Sequence, residues 1–139
     1  MRVPLGLVIT ALLLGCSPEP VTEQLGTAVK CRPLGRVCTV SEAGRAVSLR
    51  LPAEIKPLTR FPVKVALEGI DADAVVVEFT MKGMDMGLNR FGLQSGDGGW
   101  SGEAILPVCT TGRTDWLATV EAQTAGGVVR ADFTFLTTR

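Results

Sequence analysis

Apolar residues occupy every second position along 74–81, so Val75, Val77, Phe79 and Met81 share one face while Glu78 and Thr80 take the other. A period of two sends successive side chains to opposite sides of the backbone, so this run predicts a β-strand with one buried face. The pattern returns at 128–137, where Val129, Ala131, Phe133 and Phe135 alternate with Arg130, Asp132 and Thr134. Further β-prone runs fall at 36–40, 46–51, 62–67, 89–93, 100–106 and 115–123, which makes eight candidate strands. Turn-forming stretches separate them: SEAGR at 41–45, EGIDAD at 68–73, QSGDGG at 94–99 and TAGG at 124–127. Short strands at such even spacing, with no window carrying a helical period, predict an all-β fold. The expected architecture is an immunoglobulin-like β-sandwich of seven or eight strands, its core drawn from these faces with Trp100, Leu106 and Trp116 or Leu117.

The start of the chain follows a different pattern. Arg2 supplies a positive charge, 3–14 is almost wholly apolar, and Gly15-Cys16 closes the segment. That apolar stretch is too short to span a bilayer as a helix and reads as a secretory signal peptide. Its end, Leu13-Leu14-Gly15-Cys16, resembles the lipobox of bacterial lipoproteins. The resemblance implies cleavage before Cys16 and acylation of that residue, palmitate-type chains included, which would hold the protein to a membrane. Ser17 stands where the inner-membrane retention signal of Gram-negative lipoproteins would have Asp; in a Gram-negative cell that resemblance implies an outer-membrane anchor facing the periplasm. Residues 17–30, SPEPVTEQLGTAVK, are polar and aperiodic and read as a flexible tether. The expected organisation is thus a signal peptide at 1–15, lipidated Cys16 and tether at 16–30, and the β-domain at 31–139.

Charge and composition narrow the chemistry. Fourteen basic and fourteen acidic residues cancel, and no basic run appears, so a nucleic-acid partner is not expected. The chain contains no histidine. That removes the Ser-His and Cys-His nucleophile pairs, the imidazole acid–base group and the two imidazoles of a type 1 copper site. GDGG lies between strands and reads as a turn, not a phosphate loop. No enzymatic activity is expected.

Sulfur is what remains. Beyond Cys16 the cysteines are Cys31, Cys38 and Cys109. In an oxidising compartment two of them should pair. Cys31 with Cys38, bracketing RPLGRV, is the favoured bridge; a bridge from either to Cys109 is the competitor. Three of the four methionines stand at Met81, Met84 and Met86, with Gly83 and Gly87 allowing the backbone to turn. Thioethers bind the soft ion Cu(I), and unlike thiols they persist in an oxidising compartment. Met84, Met86, Met81 and Cys109 are therefore the candidate metal ligands. The competing reading makes Met81 the end of a core face and packs Met84 and Met86 against the sandwich. If neighbouring strands are antiparallel, the loop after 74–81 and the loop after 100–106 emerge at one end, which brings Met84 and Met86 toward Cys109.

Gly83-Met84-Asp85-Met86-Gly87, Leu106-Pro107-Val108-Cys109 and Asp115-Trp116 together resemble a group of small proteobacterial lipoproteins and FixH/YtkA-like domains. These are immunoglobulin-like and occur near copper delivery and cytochrome oxidase assembly, SCO-type proteins included. The resemblance implies copper homeostasis or oxidase assembly as the setting, with a periplasmic or oxidase-assembly protein as partner. It implies Cu(I) more than Cu(II), since every histidine is missing. The expected function is Cu(I) binding or delivery by a membrane-anchored lipoprotein. The rival is a non-metal module that docks an envelope protein through the same loop end.

Overall fold

The computed structural model of the chain describes residues 15–138. The expected signal peptide, apart from Gly15, lies outside the described residues. Within them all regular structure is β, in ten strands. These are β1 (Thr22–Gln24), β2 (Val29–Lys30), β3 (Val37–Glu42), β4 (Arg45–Arg50), β5 (Phe61–Glu68), β6 (Ala74–Thr80), β7 (Arg90–Gly96), β8 (Gly99–Ala104), β9 (Asp115–Thr124) and β10 (Gly127–Leu136). Strands β3 to β10 are the eight runs that alternation predicts, with their ends displaced by a few residues at most.

Hydrogen bonding joins the strands in the order β1-β10-β9-β6-β7-β8-β5-β4-β3, with β2 also on β10. The sheet is mixed: β1 and β2 run parallel to β10, and the other pairings are antiparallel. It curls at β7. Arg90 to Leu93 ladder onto β6, whereas Gln94 to Gly96 ladder onto β8. One strand therefore belongs to both halves, and the sheet wraps into a half-barrel around its apolar face.

That face is the core. Val47, Leu49, Val63 and Val65 come from one half, and Val75, Val77, Phe79, Val120, Phe133 and Phe135 from the other, all buried. Phe79 meets Phe61 and Phe135 edge-on, at centroid distances of 5.8 and 6.0 Å. Edge-to-face pairs of this kind add to the burial of the rings themselves. Of the tryptophans, Trp116 is buried and Trp100 is only half-buried, while Leu106 is buried and Leu117 half-buried. On the outer face Arg90 bridges Glu78 at 3.1 Å and Glu121 at 2.8 Å.

The segment expected as a tether, 16–30, contributes to the sheet. Thr22, Glu23 and Gln24 pair with Val128, Val129 and Arg130, and Val29 and Lys30 pair with Phe133 and Thr134. Between the two short strands Leu25 is fully buried and donates its N–H to the Arg130 carbonyl at 2.8 Å. The physical reason is that the free margin of β10 offers unpaired backbone groups, which any extended chain satisfies whatever its side chains. Polar anchors help: Glu23 forms a two-point ion pair with Arg45, at 3.0 and 2.5 Å, and Gly26 donates to Glu42 Oε2 at 2.9 Å. Among the described residues, regular structure thus begins at Thr22, well before Cys31.

Cys31 and Cys38 form a disulfide with Cα atoms 5.6 Å apart, and Cys109 stays free. Cys31 follows β2, at one margin of the sheet, and Cys38 lies in β3, at the other. The bridge therefore ties the two margins together.

Strand registers define two ends of the domain. Thr80 faces Leu117, Phe61 faces Ala104, and Asp115 faces Leu136. Loops 51–60, 81–89 and 105–114 consequently gather at one end. The first residues of β1 and the turns at 43–44 and 125–126 lie at the other.

Candidate functional site

The loop after β6 is built by two glycine turns. Met84 donates its N–H to the Met81 carbonyl at 3.2 Å, closing a tight turn that places Gly83 at φ 75°. Asp85 Oδ1 then accepts the N–H of Gly87 at 2.9 Å, and Gly87 stands at φ 72°. A side chain with a Cβ resists such left-handed backbone, which explains the glycine at each turn. Asn89 closes the loop by donating Nδ2 to the Met86 carbonyl at 3.0 Å. Asp85 thus caps the loop, while Arg90 is held by Glu78 and Glu121.

The loop between β8 and β9 is pinned against it. Arg113 donates Nη1 to the Lys82 carbonyl at 2.9 Å, and its other nitrogens grip Asp115 at 2.9 and 2.5 Å. Gly112, at φ 73°, donates to the Cys109 carbonyl at 3.1 Å and folds the strand end back.

These constraints bring two sulfurs together. Cys109 Sγ lies 4.0 Å from Met84 Sδ. Thr111 Oγ1 sits 3.1 Å from Cys109 Sγ and donates to Met84 Sδ at 3.8 Å. Cys109 and Met84 are both half-buried against the core. The thiol is held below its ordinary pKa, first by the Thr111 hydroxyl, then by backbone N–H groups of Thr111 and Arg113 and, last, by the Arg113 charge; desolvation opposes them. Arg113 is itself paired with Asp115, and that hydrogen bond holds the Asp115 carboxyl low.

The four residues singled out in the sequence divide. Met81 is 3% exposed and belongs to the core, as its alternation indicates. Met86 is half-buried against the core. Met84 and Cys109 are the pair in contact. Thr111 was missed by the sequence reading; its only signal there is its place two residues after the cysteine, where a hydroxyl can reach back across a turn. Among the described residues no three His, Cys, Asp or Glu side chains converge. The donors here are sulfur and hydroxyl. Beside them lies an apolar cleft of about 190 Å³, lined by Ile55, Pro57, Leu106, Cys109 and Trp116.

No protein-family model and no curated protein sequence matches the chain. Among solved structures it is similar to the crystal structure of an engineered protein, at 20% identity and a TM-score of 0.46. The match covers 66% of this chain and spans 20% of the other. At that level the likeness describes neither a family nor an activity.

Proposed function

We propose that this chain is an envelope lipoprotein, anchored through Cys16, whose β-domain binds Cu(I) between Cys109 Sγ and Met84 Sδ. The observation that carries the reading is their 4.0 Å separation. A thiolate-to-metal bond is about 2.3 Å for zinc, so two sulfurs sharing one ion of similar size stand roughly 3.8–4.6 Å apart. The pair needs little movement to chelate. A thiol held low ionises readily, and a thiolate beside a thioether is a soft donor set suited to Cu(I). Met86 stands on the same loop, two residues from Met84, whereas Met81 would have to leave the core. The role is binding and transfer, not catalysis.

The strand order supports the finer reading of the fold as immunoglobulin-like. Strands β4, β5 and β8 form one layer, β6, β9 and β10 the other, and β7 bridges them, an arrangement consistent with two packed antiparallel sheets. The exposed position of Cys16, ahead of the first strand, is compatible with lipid attachment.

The test is an anaerobic Cu(I) titration of the full chain in detergent micelles, competed by a chromophoric chelator. One equivalent should bind, and Cys109→Ser or Met84→Leu should each weaken it tenfold or more. Unchanged affinity in the Cys109→Ser/Met84→Leu double variant would reject the site. Separately, Cys16→Ser should move the protein from the membrane to the soluble fraction.

A further inference from the structure

We infer that the end of the domain carrying Cys109 and Met84 is the docking face for a second, soluble Cu(I)-binding protein, which supplies the ligand completing the ion's coordination. The inference rests on the Cu(I) reading above and names its partner. Three observations support it.

The first is the apolar rim. Leu58 is 67% exposed, Leu88 79% and Val108 53%, and each stands on one of the three loops gathered at this end. Single exposed hydrophobic residues are ordinary; here three stand on the loops of one end, and Val108 also lines the cleft beside Cys109. The neighbouring polar groups are already engaged: Arg113 with Asp115 and the Lys82 carbonyl, Asp85 with the Gly87 N–H, Asn89 with the Met86 carbonyl.

The second is the donor count. One thiol and one thioether are in contact, and both are half-exposed. An ion held by that pair keeps a side open toward the surface, where a partner's sulfur can reach it.

The third is direction. β1 starts at the opposite end, and β10, which runs between the ends, has ten residues. At about 3.3 Å per residue the strand spans roughly 30 Å. From Cys16 to Thr22 the chain reaches at most about 20 Å. A domain held through Cys16 carries this face away from the membrane. Two copies in one membrane, meeting face to face, would put their anchored ends roughly 60 Å apart at that rise. The geometry favours a different chain arriving from the aqueous side.

Transfer then proceeds by ligand exchange with copper remaining Cu(I). A sulfur of the partner bonds to the ion, the Met84 Sδ bond breaks, and the Cys109 Sγ bond breaks last. The freed Cys109 thiolate takes a proton from water, and a partner thiol, if that is the incoming ligand, releases one.

The experiment uses the full chain in detergent micelles loaded with Cu(I). The probe is an apolar synthetic peptide carrying a Met-x-x-Met pair, compared with N-acetylmethionine amide at equal thioether concentration. The peptide should remove Cu(I) at least tenfold faster. Leu88→Asp with Leu58→Asn should abolish that advantage while leaving the Cu(I) affinity unchanged. Both side chains are exposed, and Asn suits the positive φ of 58° at residue 58, so the fold should be preserved. A variant that keeps the peptide's advantage overturns the docking face although Cu(I) still binds. A wild-type chain that binds no Cu(I) instead overturns the reading beneath it. Flotation of the Cys16→Ser chain on phosphatidylglycerol vesicles, lost in the variant, would assign the face to a lipid surface and refute the proposal. A Cu(I)-dependent dimer that the variant dissociates would assign it to a second copy, with the same consequence.

Discussion

Leu25 is the residue on which the placement of the N-terminal segment turns. In a tether its side chain would be solvated, and truncation would cost almost nothing. In the folded domain it is fully buried between β1 and β2 and hydrogen-bonded through its backbone to β10. Truncating a buried leucine to alanine costs the transfer of the lost carbons plus the cavity left behind, about 3 kcal/mol in the lower half of the usual range. Unfolding entropy of roughly 2.1 cal/mol/K per residue gives about 0.24 kcal/mol/K for a domain of this size. Leu25→Ala should therefore lower Tm by about 12 °C at that slope. Val21, 70% exposed just ahead of β1, provides the control. Val21→Ala should shift Tm by less than about 2 °C, as expected of a surface site. The assay is thermal unfolding of the full chain in detergent micelles, followed by near-ultraviolet circular dichroism. Equal shifts for the two variants would refute the placement of β1 and restore the tether.

Two further perturbations follow from the same structure. Replacing Cys31 and Cys38 by serine opens a loop closed between residues seven apart in sequence; the chain-entropy relation gives a loss of about 2.4 kcal/mol, read as a lower urea midpoint, and a loss below about 0.5 kcal/mol, within the scatter of surface sites, would mean the bridge is incidental. Glu121 is held below the ordinary carboxylate pKa, chiefly by its hydrogen bond to Arg90. The native state then binds fewer protons than the unfolded one, so this contribution is complete above the unfolded pKa and is lost as pH falls through the folded one. Glu121→Gln should flatten the acid limb of stability against pH, and an unchanged limb would show that the Arg90 pairing does not stabilise the fold.

Strand alternation carried most of the fold into the sequence. β6 and β10 each bury one face, and their period of two survives in Val75, Val77 and Phe79 and in Val129, Ala131 and Phe133. β1 and β2 left no such trace. Thr22, Glu23 and Gln24 are all exposed, and their stability comes from backbone pairing with residues more than a hundred positions away. No local pattern records a bond of that kind. The meeting of Met84 and Cys109 was legible because antiparallel neighbours return alternate loops to one end. Thr111 was not, because a hydroxyl's reach depends on how Gly112 folds the turn. Arg113 bonds Asp115 and the Lys82 carbonyl, and the thiol's principal partner is the threonine.

The parallel pairing of β1 with β10 has a consequence for the order of assembly. Thr22 faces Val128 across the sheet, so the first strand has no template until the last has been synthesised. The cysteines of the bridge, by contrast, are neighbours in the chain and are available to meet as soon as residue 38 has emerged. Until β10 is present the segment at 22–30 lacks the strand that its backbone pairs with, though its side-chain partners Glu42 and Arg45 are already made. Any truncation that removes β10 takes away the whole strand pairing of the N-terminal segment as well, joining the fates of the two ends of the molecule.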